Sequence, residues 1–113
     1  MTPLLRIHHA AIICADYARS KRFYTEVLGL QVLAENYRQA RDSWKLDLAL
    51  PDGGQLELFS FSGAPPRPSY PEAQGLRHLA FAVNDVSAWT AHLQAQGIAV
   101  EAIRTDEYTG QRF

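Results

Sequence analysis

The sequence predicts an α+β fold made of two matched strand–helix units, each followed by further strands, with the last strand or strands of the second unit missing. Three observations carry this. The stretch IHHAAIICAD (7–16) recurs in outline as LRHLAFAVND (76–85), with His9 seven residues before Asp16 and His78 seven before Asp85, so the copies are offset by 69 residues. Each Asp is followed by an amphipathic helical stretch that ends at a glycine, Gly29 in one copy and Gly97 in the other. The residues after Gly29 alternate apolar and polar on either side of a PDGG turn, the signature of half-buried strands joined by a hairpin.

Taken in order, 7–14 is almost continuously apolar and reads as a central strand. Alternation puts Ile7, His9, Ala11 and Ile13 on one face and His8, Ala10, Ile12 and Cys14 on the other. His8 and His9 are therefore expected to serve different sites. In the second copy His78, Ala80 and Ala82 share a face, so each copy places one His beside small residues, with the bulkier face left for a helix. Asp16 caps a helix to about Leu28. Strands follow over 30–37, 44–50 and 55–61, with a polar turn at 38–42. On 55–61, Leu56, Leu58 and Ser60 share one face while Glu57, Phe59 and Phe61 share the other. The segment 62–74 holds four prolines and reads as a linker. Beyond it the order repeats: a strand over 76–83, a helix from Asp85, a strand over 98–103, a hairpin-like turn over 104–110 and the start of another strand at 111–113.

The second half reaches only the start of its third strand. Glu57 follows His9 by 48 residues, and the same spacing from His78 leads to about position 126, past Phe113. A fragment, or a chain that has lost a C-terminal strand, is the expectation.

At 113 residues with 47% hydrophobic and 20% charged content, the chain is expected to form one ordinary globular domain. Net charge is −1 with scattered basic residues, which argues against nucleic acid or an anionic membrane as partner. Nine of the 11 basic residues are Arg, a residue suited to carboxylate or phosphate, which keeps a small anionic ligand in view. One Cys allows no internal disulfide, and no apolar run is long enough to span a bilayer, so a cytoplasmic location is expected. Cys14 reads as a small buried hydrophobe, His92 as a solvated helix residue, and Trp44 and Tyr108 as packing residues.

Two imidazoles on matching strands and a carboxylate on a nearby strand suggest a divalent metal site, of a donor type that suits Zn, Ni, Co, Mn or Fe without choosing among them. In that setting IHHAAIICAD, FYTEVLGL, GGQLELFSF and GLRHLAFAVND, in this order, resemble the vicinal oxygen chelate superfamily, the glyoxalase, bleomycin-resistance and extradiol-dioxygenase group. The resemblance covers nearly the whole chain. It implies paired βαβββ modules whose mixed sheets form a concave site: module 1 at about 5–61, the linker at 62–74 and a truncated module 2 at about 75–113, all within a single glyoxalase-like domain, 1–113. It implies His9, Glu57 and His78 as three of four metal ligands, with no residue here matching the fourth. Glyoxalase I members usually carry an Arg four residues after the first ligand His, where this chain has Ile13. The similarity is thus to small bacterial glyoxalase-like proteins rather than to the glutathione-dependent enzyme.

What the resemblance implies about function is a metal-dependent lyase or isomerase acting on a small substrate through a metal-bound enediolate-type intermediate, with Glu57 as catalytic base. Arg41 and Arg104 are the candidates for gripping a substrate anion. The alternatives are a bleomycin-resistance-like protein that sequesters a ligand without chemistry, and an extradiol-type dioxygenase with a two-His, one-carboxylate iron site. A homodimer is expected, as is weak metal binding by a chain lacking the fourth ligand.

Overall fold

The computed structural model describes residues 2–113. They form two compact units, one running through Pro68 and the other over Ser69–Phe113, divided within the segment 62–74 read as the linker.

The first unit is a four-stranded mixed sheet backed by a helix. Its strands are β1 (His9–Cys14), β2 (Gln31–Arg38), β3 (Ser43–Ala49) and β4 (Gln55–Ser60), in the order β1-β4-β3-β2. β1 and β4 are parallel, while β3 is antiparallel to both β4 and β2. The parallel pairing needs a crossover, and the helix after β1 begins it. Asp16 caps that helix, α1 (Tyr17–Arg22), accepting a bond from Arg19 N at 3.1 Å. The helix then widens into a π-helical turn, Phe23–Val27, closed by Leu28 N on Phe23 O at 2.9 Å. It stops where Gly29 takes φ 76°, a left-handed conformation that a side chain would strain. The expected helix is thus present with its last turn loosened, a distinction that apolar spacing does not record.

The PDGG stretch makes the β3–β4 hairpin. Leu50 N bonds Gly54 O at 2.8 Å, and Gly53 has φ 92°. This turn fixes the register that sets Asp47 opposite Glu57 and Lys45 opposite Phe59. One face of the sheet is the core: Leu46, Leu48, Leu56 and Leu58 are wholly buried, joined by Cys14, with Ala10, Ile12, Tyr17, Tyr24 and Leu30 packed against them. The opposite face carries His9, Ala11, Lys45, Asp47, Glu57 and Phe59, the partition that alternation predicts.

On the core side of the sheet's rim, Tyr17 stacks on Trp44 with ring centroids 5.5 Å apart. Glu35 accepts a bond from the Tyr17 hydroxyl and pairs with Lys21 Nζ at 2.8 Å. The Lys21 and Tyr17 hydrogen bonds hold the Glu35 carboxyl below the ordinary carboxylate range. Burial, then the Glu35 bond, pushes the Tyr17 phenol well above its usual value.

In the second unit Asp85 caps α2 (Val86–Ala95), accepting from Ala88 N at 3.0 Å, and Gly97 follows at φ 78°. The turn over 104–113 closes on itself: Arg104 and Phe113 exchange backbone bonds of 2.9 Å each way, and Asp106 Oδ1 accepts from Tyr108 N and Thr109 N. The strands expected over 76–83 and 98–103 are not formed among the described residues. Their alternation is in the sequence, but a strand exists only with a ladder partner, and neither segment has one here. Leu76, Leu79, Phe81 and Val83 are exposed. Tyr108, expected to pack, is exposed as well.

Candidate metal centre

The hairpin and the β1–β4 pairing build this site. β1 lies beside β4 with Ala11 opposite Glu57, which leaves His9 one pleat away on the same face. His9 Nε2 and Glu57 Oε1 are 3.8 Å apart. Two donors each about 2.1 Å from one ion lie about 3.4 Å apart in a tetrahedral site and about 3.0 Å apart as octahedral neighbours, so a closure of under about 1 Å lets this pair share a divalent ion. The donor set also fits, an imidazole and a carboxylate being suited to first-row transition ions. The His9 side chain is 45% exposed and the Glu57 side chain 16%, so the imidazole is reachable from solvent and the carboxylate is held within the sheet.

Lys45 and Asp47 complete the cluster on this face. Lys45 Nζ is 3.0 Å from Asp47 Oδ1 and 3.3 Å from Oδ2, and 3.7 Å from Glu57 Oε2. The Asp47 hydrogen bond, more than the Glu57 charge, raises the pKa of the Lys45 ammonium above the ordinary lysine value. Neither residue stands out in the sequence. Only the cross-strand register reveals that Asp47 lies opposite Glu57, although the alternation KLDLA showed that Lys45 and Asp47 share a face.

His8 requires a correction. It was expected to face away from His9, yet His8 Nδ1 lies 3.0 Å from His9 Nδ1 and the rings meet edge to face at 5.2 Å between centroids. His8 lies just before β1 with its carbonyl bonded to Gln55 N at 3.1 Å, and alternation fixes where its Cβ points but not where its ring nitrogen ends. A bond between two Nδ1 atoms needs one donor and one acceptor. If His9 offers Nε2 to a metal, its Nδ1–H donates to His8, the arrangement that fixes a ligand's tautomer.

His78 is exposed and lies in the second unit, in the unpaired segment 76–83. Among the described residues no group of three or more His, Cys, Asp or Glu side chains is gathered as a metal centre. His9 and Glu57 are therefore the predicted ligands that the structure brings together. Arg41 lies over the Phe61 ring at 4.9 Å, and Phe61 stacks on Phe59 with centroids 5.8 Å apart. Arg104 is engaged within its own unit, 3.1 Å from Glu101 and 5.0 Å over the Phe113 ring. Ile13, at the position where glyoxalase I members usually have Arg, is 58% exposed.

A parallel strand beside an antiparallel hairpin, with a His and a Glu meeting on the open face, defines a mixed-sheet βαβββ module. The Glyoxalase/Bleomycin resistance protein/Dioxygenase superfamily profile matches residues 6–113, and the chain belongs to that superfamily. It is 55% identical over 113 residues to the uncharacterized protein YaeR of Escherichia coli, spanning 100% of this chain and 88% of YaeR. It is 30% identical over 128 residues to 2-epi-5-epi-valiolone epimerase of an Actinomyces species, spanning 95% and 70% of the two chains. The crystal structure of a glyoxalase family protein from Enterococcus faecalis superposes with a TM-score of 0.88 at 48% identity, covering 95% of this chain and 84% of that one.

Proposed function

We propose that this protein is a metal-dependent glyoxalase-like lyase or isomerase acting on a small substrate, with His9, Glu57 and His78 as metal ligands. The observation that carries the reading is the 3.8 Å approach of His9 Nε2 to Glu57 Oε1 on the sheet face opposite the leucine core. His78 enters through the repeat, at the position in the second copy that matches His9 in the first. A divalent ion held there supplies Lewis-acid stabilisation of negative charge on a substrate oxygen. In this reading Glu57 is also the group that takes or returns a proton. Isomerase chemistry is supported by the similarity to an epimerase, within a superfamily that also includes glyoxalase I and fosfomycin-resistance members.

Ile13 supports a substrate other than a glutathione conjugate, because it brings no cation to that position of the site face. Arg41, held over Phe61, is the group proposed to meet a substrate anion. Arg104, paired with Glu101, is the less available of the two. No helix among the described residues is long and apolar enough to cross a membrane, and a cytoplasmic location is part of this reading. So is a homodimer, checked by sedimentation at micromolar concentration, where a lone monomer would refute it.

The test separates an enzyme from a protein that sequesters its ligand without chemistry. Protein loaded with Zn, Ni, Co, Mn or Fe is assayed for proton exchange at carbon beside a carbonyl, using a panel of small 2-oxo and 2-hydroxy compounds. Exchange that is lost on chelation and in Glu57→Gln supports the proposal. Ligand binding with no exchange under any metal would overturn it in favour of sequestration.

A further inference from the structure

We infer that Lys45 is a metal-selectivity residue: its ammonium occupies the space between two facing carboxylates, keeps Asp47 out of the metal's coordination, and confines Glu57 to a single ligating oxygen. The inference rests on the reading of Glu57 as a ligand.

The hairpin sets Asp47 and Glu57 directly opposite each other on neighbouring antiparallel strands. Facing side chains of this kind stand with Cβ atoms about 5 Å apart, and two like charges there repel. Two facing carboxylates also make an oxygen-rich pair of the sort that attracts a hard cation. Lys45 is two residues from Asp47 and on the same face, so its long stem can turn back across the pair. It does so, lying 3.0 and 3.3 Å from the two Asp47 oxygens and 3.7 Å from Glu57 Oε2. The other Glu57 oxygen, Oε1, is the one turned to His9 Nε2. The two Glu57 oxygens thus face different partners, a built-in cation and an imidazole. His9 supplies a nitrogen donor, and a set with nitrogen and a single carboxylate oxygen suits borderline transition ions better than oxygen-seeking ones. Removing the Lys45 charge frees the second Glu57 oxygen and both Asp47 oxygens, and shifts the site toward harder ions.

The test measures Mn²⁺ and Zn²⁺ affinity by titration calorimetry on the full chain and on Lys45→Met, Asp47→Asn and the Lys45→Met/Asp47→Asn double variant. Co²⁺ absorption is recorded as a readout of coordination number. Lys45→Met is expected to gain about tenfold in Mn²⁺ affinity relative to Zn²⁺, a change of the size that neighbours of ligands produce. Its Co²⁺ bands should weaken as coordination rises, and the double variant should keep only the part of the gain that the freed Glu57 Oε2 supplies, so an unaltered ratio there also overturns the inference. Asp47→Asn alone, with Lys45 in place, should leave the Mn²⁺/Zn²⁺ ratio unchanged. An unchanged ratio in folded Lys45→Met overturns the inference. Should Lys45→Met not fold, the charge-balanced double variant and Asp47→Asn still decide it: a loss of metal affinity in Asp47→Asn would show that Asp47 is itself a ligand. Failure of the parent reading looks different, because Glu57→Gln would then bind both ions as tightly as the unaltered chain.

Discussion

Leu58→Ala tests the face assignment on which the site depends. Leu58 is wholly buried among Leu46, Leu48 and Leu56 on the side of the sheet away from Glu57. The change deletes three side-chain carbons, worth about 2.4 kcal/mol at roughly 0.8 kcal/mol each. Incomplete collapse of the cavity adds a further term, which brings the expected loss to about 3–4 kcal/mol. Phe59→Ala, one residue on and facing the other way, should cost only about 1–2 kcal/mol, chiefly its stacking on Phe61 and a partly buried ring. Urea unfolding followed by fluorescence of Trp44, which lies in the same sheet, measures both. Losses of equal size, or a larger loss for Phe59→Ala, would show that the leucine face is not the core and that Glu57 does not point away from it.

Other outcomes follow from particular contacts. His8→Ala should leave stability unchanged but weaken metal binding about tenfold in calorimetry, because the partner of His9 Nδ1 is lost; full affinity would show that the His8–His9 contact sets no tautomer. Asp16→Ala and Asp85→Ala each remove an N-cap bond, of 3.1 and 3.0 Å, and should each cost about 1 kcal/mol in urea unfolding. The Tyr17–Glu35–Lys21 group predicts two pH limbs. The lowered Glu35 pKa gives stability that is present above its unfolded value of 4.5 and lost as pH falls through the folded value. The raised Tyr17 pKa gives stability that is present below 10.0 and lost as pH rises toward its folded value. Urea midpoints measured against pH should show both limbs; Glu35→Gln should abolish the acid limb and shrink the alkaline one only in part, because burial is the first cause of the Tyr17 shift.

Much of the first unit was legible because its signals are local. Alternation in WKLDLAL and QLELFSF put the leucines on one face and Glu57 on the other, Asp16 and Asp85 announced their helices, and PDGG announced the hairpin. What was missed depends on neighbours distant in sequence or on exceptions to a period. Lys45 became significant only when the hairpin register set Asp47 opposite Glu57. The π-helical turn at Phe23–Val27 carries the same kind of apolar spacing as an α-helix. His8 escaped because alternation sets the direction of a Cβ and not the reach of the ring attached to it. The segments 76–83 and 98–103 have strand-like sequence but no ladder, since pairing is a property of two segments and the pattern describes one.

The central claim, that His9 and Glu57 hold one metal ion together, is tested most directly by Zn²⁺ titration of the unaltered chain, His9→Ala, Glu57→Gln and the double variant. If both side chains ligate one ion, each single change should weaken binding by at least about tenfold, and the double variant should lose little more than the weaker single, because the pair acts as a unit. Binding of equal strength in the unaltered chain and in both single variants would contradict it.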